Sequence, residues 1–198
     1  MRIFERAMNN VWLFWLALSL PLIWLVLDKL ITGVRLGKMF YWTGVISLIL
    51  IFICLAITPL RRIFHGANWV RWLTSRRRHI GVAAFAYTTI HTLIWIRQIK
   101  IERFLESFTE IGLITAWLGF VILIAMAVTS NDFSVRQLGP KWKSLQRWVL
   151  VATPLALLHW FIVSNFRIDN IVIYGGTFVL IMLSRVVVNS STSQNQKG

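Results

Sequence analysis

Apolar residues fill six stretches of this chain, approximately 11–31, 40–59, 79–97, 111–128, 145–164 and 171–188, and the charged positions collect between them. Each stretch approaches the roughly 20 residues that a helix needs to cross a hydrocarbon core about 30 Å thick. The pattern predicts an all-α, polytopic membrane protein: a bundle of six transmembrane helices forming one domain over residues 1–188. The short connections leave no space for a soluble module, and 189–198, NSSTSQNQKG, reads as a disordered polar tail. Residues 11–27 outlast the apolar core of about 7–15 residues in a cleavable leader and lack an A-x-A-like exit, so the first stretch is expected to remain as a span. The connection 60–78, LRRIFHGANWVRWLTSRRR, mixes Arg with Trp, Phe and Ile and is expected to lie as a loop against anionic headgroups. Pro21 and Gly44, inside the first two spans, read as sites of bending or close packing.

Composition strengthens this picture. The 198 residues are 57% hydrophobic with 11 Trp and 13 Phe, more apolar weight than a soluble domain can hide. The single Cys54 falls within the second span, where it is expected to act as a small core hydrophobe with no partner for a disulfide. A net charge of +14 raises the question of nucleic acid, but its distribution answers otherwise. With the N-terminus in the cytoplasm, fourteen of the 21 Lys and Arg residues fall in cytoplasmic segments, while the opposite side holds five of the seven acidic residues. That is the positive-inside bias of a multi-pass membrane protein with both termini cytoplasmic, and it removes the need for a nucleic-acid partner. Membrane lipids are the expected surroundings.

Ionisable side chains within spans are rare and mark functional candidates. His91 in FAYTTIHTLIWI and His159 in PLALLHWFIV are two such residues, whereas His65 and His79 fall at a water-facing connection and a span mouth and read as structural. Counting from the cytoplasmic ends of the third and fifth spans at about 1.5 Å per residue puts His91 roughly 18 Å in and His159 roughly 20 Å in. One span separates these two, so they run in the same direction and the imidazoles share a depth in the outer half of the membrane. Small residues precede both, Ala84 and Gly81 before His91, and Ala156 and Ala152 before His159. Such a slot suits a flat macrocycle held by one imidazole from each side. Hydrogen bonding across helices is the other use of such a pair. None of the seven acidic residues lies in mid-span, which disfavours a proton or ion pathway.

The segments ITPLRR, RRRHIGVAAFAYTTIHTLIW, AVTSNDFSVRQLGPKWKSLQRW and PLALLHW, in this order, resemble the ferric-reductase-like transmembrane family. The likeness is greatest to its branch of haem-binding subunits serving a periplasmic methionine sulfoxide reductase. The resemblance implies a b-type cytochrome of the bacterial inner membrane, with His91 and His159 as axial ligands of the haem iron. It also implies a periplasmic molybdopterin-dependent reductase as acceptor, quinol or a soluble flavin reductase as donor, and flavin mononucleotide as a further cofactor for which no residue here offers a place. Where relatives carry additional histidines, this chain has Gln146 and Arg77. His79, twelve residues before His91, points about 120° away from it at 100° per residue, so one haem is expected. No G-x-G-x-x-G unit is present, so the chain is not expected to oxidise a nicotinamide itself. A stand-alone ferric reductase and a non-redox membrane scaffold are the competing readings.

Overall fold

The structure, a computed structural model, describes residues 10–194, with side chains through Val188. Six helical segments are long and apolar enough to cross a membrane: Val11–Thr32, Leu36–Ile63, Asn68–Gln98, Ile111–Val128, Pro140–Val163 and Ile168–Val188. The helices are α1 (Val11–Thr32), α2 (Leu36–Ile63), α3 (Asn68–Gln98), α4 (Ile101–Glu106), α5 (Ile111–Val128), α6 (Asp132–Leu138), α7 (Pro140–Gln146), α8 (Val149–Val163), α9 (Ile168–Asn170) and α10 (Gly176–Gln194). A π-turn, Ile171–Gly175, joins the last two. No strand occurs among the described residues, so the expected all-α membrane bundle is observed.

Local chemistry sets several boundaries. The Asn10 side chain accepts from Trp12 N–H at 2.9 Å and starts α1. Gly33, at φ +67, ends it by donating to the Lys29 carbonyl. Asn131 caps α6 in the same way, accepting from Ser134 N–H at 2.7 Å, and Pro140 opens α7 where its missing N–H costs nothing.

The stretch 60–78 is not the loop the sequence suggested. α2 continues to Ile63 and α3 starts at Asn68, so the connection shrinks to residues 64–67, turning at Gly66 with φ +91. The arginines there sit on helix because residues 68–78 contain no Gly or Pro, and a helix leaving the hydrocarbon keeps its own hydrogen bonds. Similarly, 130–145 is mostly the two short helices α6 and α7. At the C-terminus the backbone of α10 continues to Gln194. The rest of the expected tail, from 195, lies outside the described residues, as do Arg2 and Arg6 at the other end.

α2 is the central strut: 61% of its apolar window is buried, against 6% for α1, which therefore lies at the periphery. Ile51, Leu55 and Ile57 of α2 meet Ile80, Ala83 and Ala84 of α3, and Leu123 of α5 and Ala152 of α8 complete the same core. Lipid chains are as apolar as these side chains, so close fit, rather than escape from water, holds the spans together. Cys54 is part of this core, with Sγ 3.9 Å from where a Cβ at Gly81 would lie, as expected for a small hydrophobe. The ion pairs Asp28–Lys38 and Arg103–Glu110 lie near helix ends, and Arg78, well inside α3, pairs with Asp132 at the start of α6. Arg103 holds the exposed Glu110 carboxyl below the usual carboxylate range.

Pro21 has a partner that the sequence could not show. The Tyr87 hydroxyl on α3 donates to the Leu18 carbonyl at 2.8 Å and accepts from Leu22 N–H at 3.1 Å. These are the two ends of one i→i−4 rung beside the proline, so a hydroxyl from another helix is inserted into the ladder where proline disturbs it. Tyr87→Phe removes the bridge with little change of shape and leaves two backbone groups wanting partners inside the membrane. The expected loss is about 1–3 kcal/mol of stability, measurable as a lowered midpoint of chemical unfolding in mild detergent. An unchanged midpoint would show that the backbone re-pairs without the hydroxyl.

Candidate functional site

His91 on α3 and His159 on α8 line the same cavity, of about 240 Å³, near one end of the bundle. Its walls come from α2, α3, α5 and α8. Small residues, Gly44, Gly119, Ala152 and Ala156, keep the walls apart, and Phe40, Trp95, Trp117, Phe120 and Trp160 close them with rings. The two intramembrane histidines are thus brought to one cavity.

Each imidazole is oriented by a backbone carbonyl on a neighbouring helix. His91 Nδ1 lies 2.9 Å from Phe40 O of α2, and His159 Nδ1 lies 2.8 Å from Gly112 O of α5. A carbonyl can only accept, so each Nδ1 carries the proton and each Nε2 is left with a free lone pair. Both carbonyls lie near the starts of their helices, and each also accepts a threonine hydroxyl of its own helix, Thr43 Oγ1 to Phe40 O at 2.9 Å and Thr115 Oγ1 to Gly112 O at 2.8 Å. The His91 ring also stacks on Phe40 with centroids 4.1 Å apart. Hydrogen bonding across helices, the competing use of such histidines, therefore does occur, but it engages one nitrogen of each ring.

Two glycines make this geometry feasible. A Cβ at Gly44 would fall 2.9 Å from His91 Nδ1, and one at Gly112 would fall 2.8 Å from Ile162 Cγ2. Neighbouring hydroxyls are satisfied and offer the cavity little competition: Ser47 Oγ donates to Ala84 O at 2.9 Å and meets Thr88 Oγ1 at 2.6 Å. Trp160, one residue past His159, packs on Tyr174 with centroids 4.8 Å apart, so the π-turn supports the cavity from behind.

The donor set narrows what this cavity can hold. No carboxylate or thiolate lines it, and no group of three or more His, Cys, Asp or Glu occurs among the described residues. Two imidazoles are too few for a bare zinc or similar ion, which takes at least three protein ligands. They suit a metal whose other positions are filled by a prosthetic group, as in a macrocycle with two axial ligands. A ligating histidine whose other nitrogen donates to a carbonyl is the usual supporting arrangement.

The other two histidines stand apart. His65 is exposed in the short connection after α2. His79 is half-buried between the edges of Phe14 and Trp15, with Nδ1 lacking a hydrogen-bond partner. It lines a second and larger cavity, together with Gln146 and Arg77.

Comparison with known proteins gives a consistent picture. The family model "Ferric reductase like transmembrane component" matches residues 42–158. A protein-methionine-sulfoxide reductase heme-binding subunit MsrQ from Caulobacter vibrioides is 33% identical over 195 residues, covering 88% of this chain and 85% of its own. The protein of the same name from Bordetella pertussis is 33% identical over 150 residues, covering 73% and 71%. No solved structure matches the chain.

The two glycines that face α8 separate fit from propensity. Gly112→Ala must displace Ile162, on the helix that carries His159, and is expected to cost about 1–3 kcal/mol. Gly119→Ala would place its Cβ 3.6 Å from Ala152 O, an ordinary contact, and should be neutral or stabilising. Unfolding midpoints of the two variants check this, and equal midpoints would contradict the packing described.

Proposed function

The chain belongs to the ferric-reductase-like transmembrane family, and we propose that it is the haem-binding, electron-transfer subunit of a methionine sulfoxide reductase system in a bacterial inner membrane. The observation that carries this reading is the convergence of His91 and His159 on one cavity with both Nε2 atoms free. Two relatives of similar length, each named as a heme-binding subunit, support it.

In this reading His91 and His159 are the axial ligands of one haem b. Haem b bound there supplies reversible one-electron chemistry. The chain's own residues do the rest. Phe40 O and Gly112 O fix the tautomer and the ring planes, so that each Nε2 is a neutral base that would be available to hold the metal. The tryptophan and phenylalanine rings keep water out. Gly44, Ala152 and Ala156 leave the width that a flat ring system needs.

One haem, rather than two, is the proposal because the second cavity offers a single imidazole, His79, beside Gln146 and Arg77. Gln146 Nε2 is already engaged with Met126 O at 3.1 Å. The positive-inside bias supports a cytoplasmic position for this arginine-rich end, with the His91–His159 cavity toward the periplasm. Electrons drawn from quinol or a soluble flavin reductase would then leave beside a periplasmic, molybdopterin-dependent partner. Flavin mononucleotide is given no site in the histidine cavity.

His91→Ala and His159→Ala are each expected to abolish haem retention, read as loss of the Soret band in purified protein. His65→Ala and His79→Ala should keep the full band. Bleaching by His79→Ala together with a normal band in His159→Ala would sink the assignment. A pyridine haemochrome assay on protein quantified by amino-acid analysis should return about one haem per chain, the number that one bis-imidazole pair can ligate. A ratio near two would mean that the arginine-rich cavity also holds iron.

A further inference from the structure

The arginine-rich cavity has no part in that reading, yet it is the larger of the two, at about 940 Å³. Ile51 and Leu123 line both cavities, so a thin apolar partition separates them. Seven cations line the larger one, and no carboxylate does. They come from separate parts of the chain: Arg61 from the end of α2, Arg77 from α3, Lys143 and Arg147 around α7, and Arg185 from α10.

Topology alone does not call for this arrangement. A positive-inside signal needs cations near the span ends, facing water, with no need to converge. Arg185 instead lies within the last span, half-buried, donating to Leu55 O at 3.2 Å in the field of Arg77 and Arg62. Arg78 has Asp132 as a partner, but that carboxylate is exposed and lies outside the cavity lining. Like charges gathered at the membrane boundary repel strongly where the local dielectric is low. An anion between them relieves the repulsion, and guanidinium forks match the oxygens of a phosphate group. His79 adds a ring whose Nδ1 is buried without a hydrogen-bond partner. The inner wall is apolar, with Ile51, Leu123, Met126 and Leu150.

We infer that this cavity binds the phosphate group of an amphipathic ligand, with Arg77, Arg147 and Arg185 on the phosphate oxygens and the apolar body against Leu123 and Met126. Two sources share that chemistry: an anionic phospholipid of the adjoining leaflet, or a soluble phosphate compound entering from the aqueous side. Basic pockets between spans are suited to lipid headgroups of this kind.

The haem-loaded protein is purified, delipidated and placed in nanodiscs of phosphatidylcholine, with or without phosphatidylglycerol. A further set receives inorganic phosphate against chloride of equal ionic strength. Melting followed by tryptophan fluorescence, and native mass spectrometry of retained lipid, provide the readouts. Phosphatidylglycerol or inorganic phosphate is expected to raise the melting temperature. Arg77→Gln and Arg185→Gln should each weaken the effective probe by about fivefold, the contribution of one cation near a charged headgroup. Arg136→Gln, whose residue lies on α6 outside the cavity, should leave it unchanged. A response to phosphatidylglycerol alone identifies a lipid, and a response to inorganic phosphate identifies a soluble source. The inference is overturned if neither probe acts, or if Arg136→Gln weakens the response as much as the cavity variants do. Soret absorbance recorded on every variant keeps the result separate from the histidine site, because loss of anion binding with an intact Soret band concerns this cavity alone.

Discussion

Inside hydrocarbon no water is available to a polar group, so every donor and acceptor in a span must find its partner within the protein. Each distinctive contact of this chain answers that demand. Tyr87 spans the rung beside Pro21. Ser47 and Thr88 turn toward Ala84 O. The two histidines spend one nitrogen each on a backbone carbonyl. What remains in the histidine cavity is informative: two Nε2 lone pairs, on two different helices, with no protein acid in the lining to pair with them.

The same demand explains how much could be read from sequence. Span number and the placement of Cys54, His91 and His159 within spans follow from periodicity and rise per residue, which are local properties. Phe40 O and Gly112 O were out of reach, because a backbone carbonyl has no signature in the sequence and these lie 51 and 47 positions from their histidines. Tyr87 was invisible as the partner of Pro21 for the same reason. The connection 60–78 departs from the expected loop because charge ends only the membrane crossing and not the helix. A helix of arginines and tryptophans can continue into the interface without leaving a backbone group unpaired. The π-turn at Ile171–Gly175 has no cue beyond Gly175 and Gly176, and its role behind Trp160 emerges only from packing.

The bundle is asymmetric from end to end. The lining of the histidine cavity holds no charged side chain and is closed by aromatic rings, which suits a neutral pair of imidazoles. The arginine end is lined by seven cations and is apolar at its floor. Ile51 and Leu123 stand between the two and line both cavities. Membership of a family of redox membrane proteins accords with the first end, and the second carries chemistry of its own.

The central claim is that one metal centre is held jointly by His91 and His159, each acting through Nε2. Low-temperature electron paramagnetic resonance of the purified, air-oxidised protein examines that directly, because the spin state of ferric haem reports how many strong axial ligands it has. Two imidazoles predict a low-spin ferric signal, with no high-spin component in the intact protein. A dominant high-spin signal would mean that only one histidine reaches the iron, and the joint ligation argued from these two residues would be wrong.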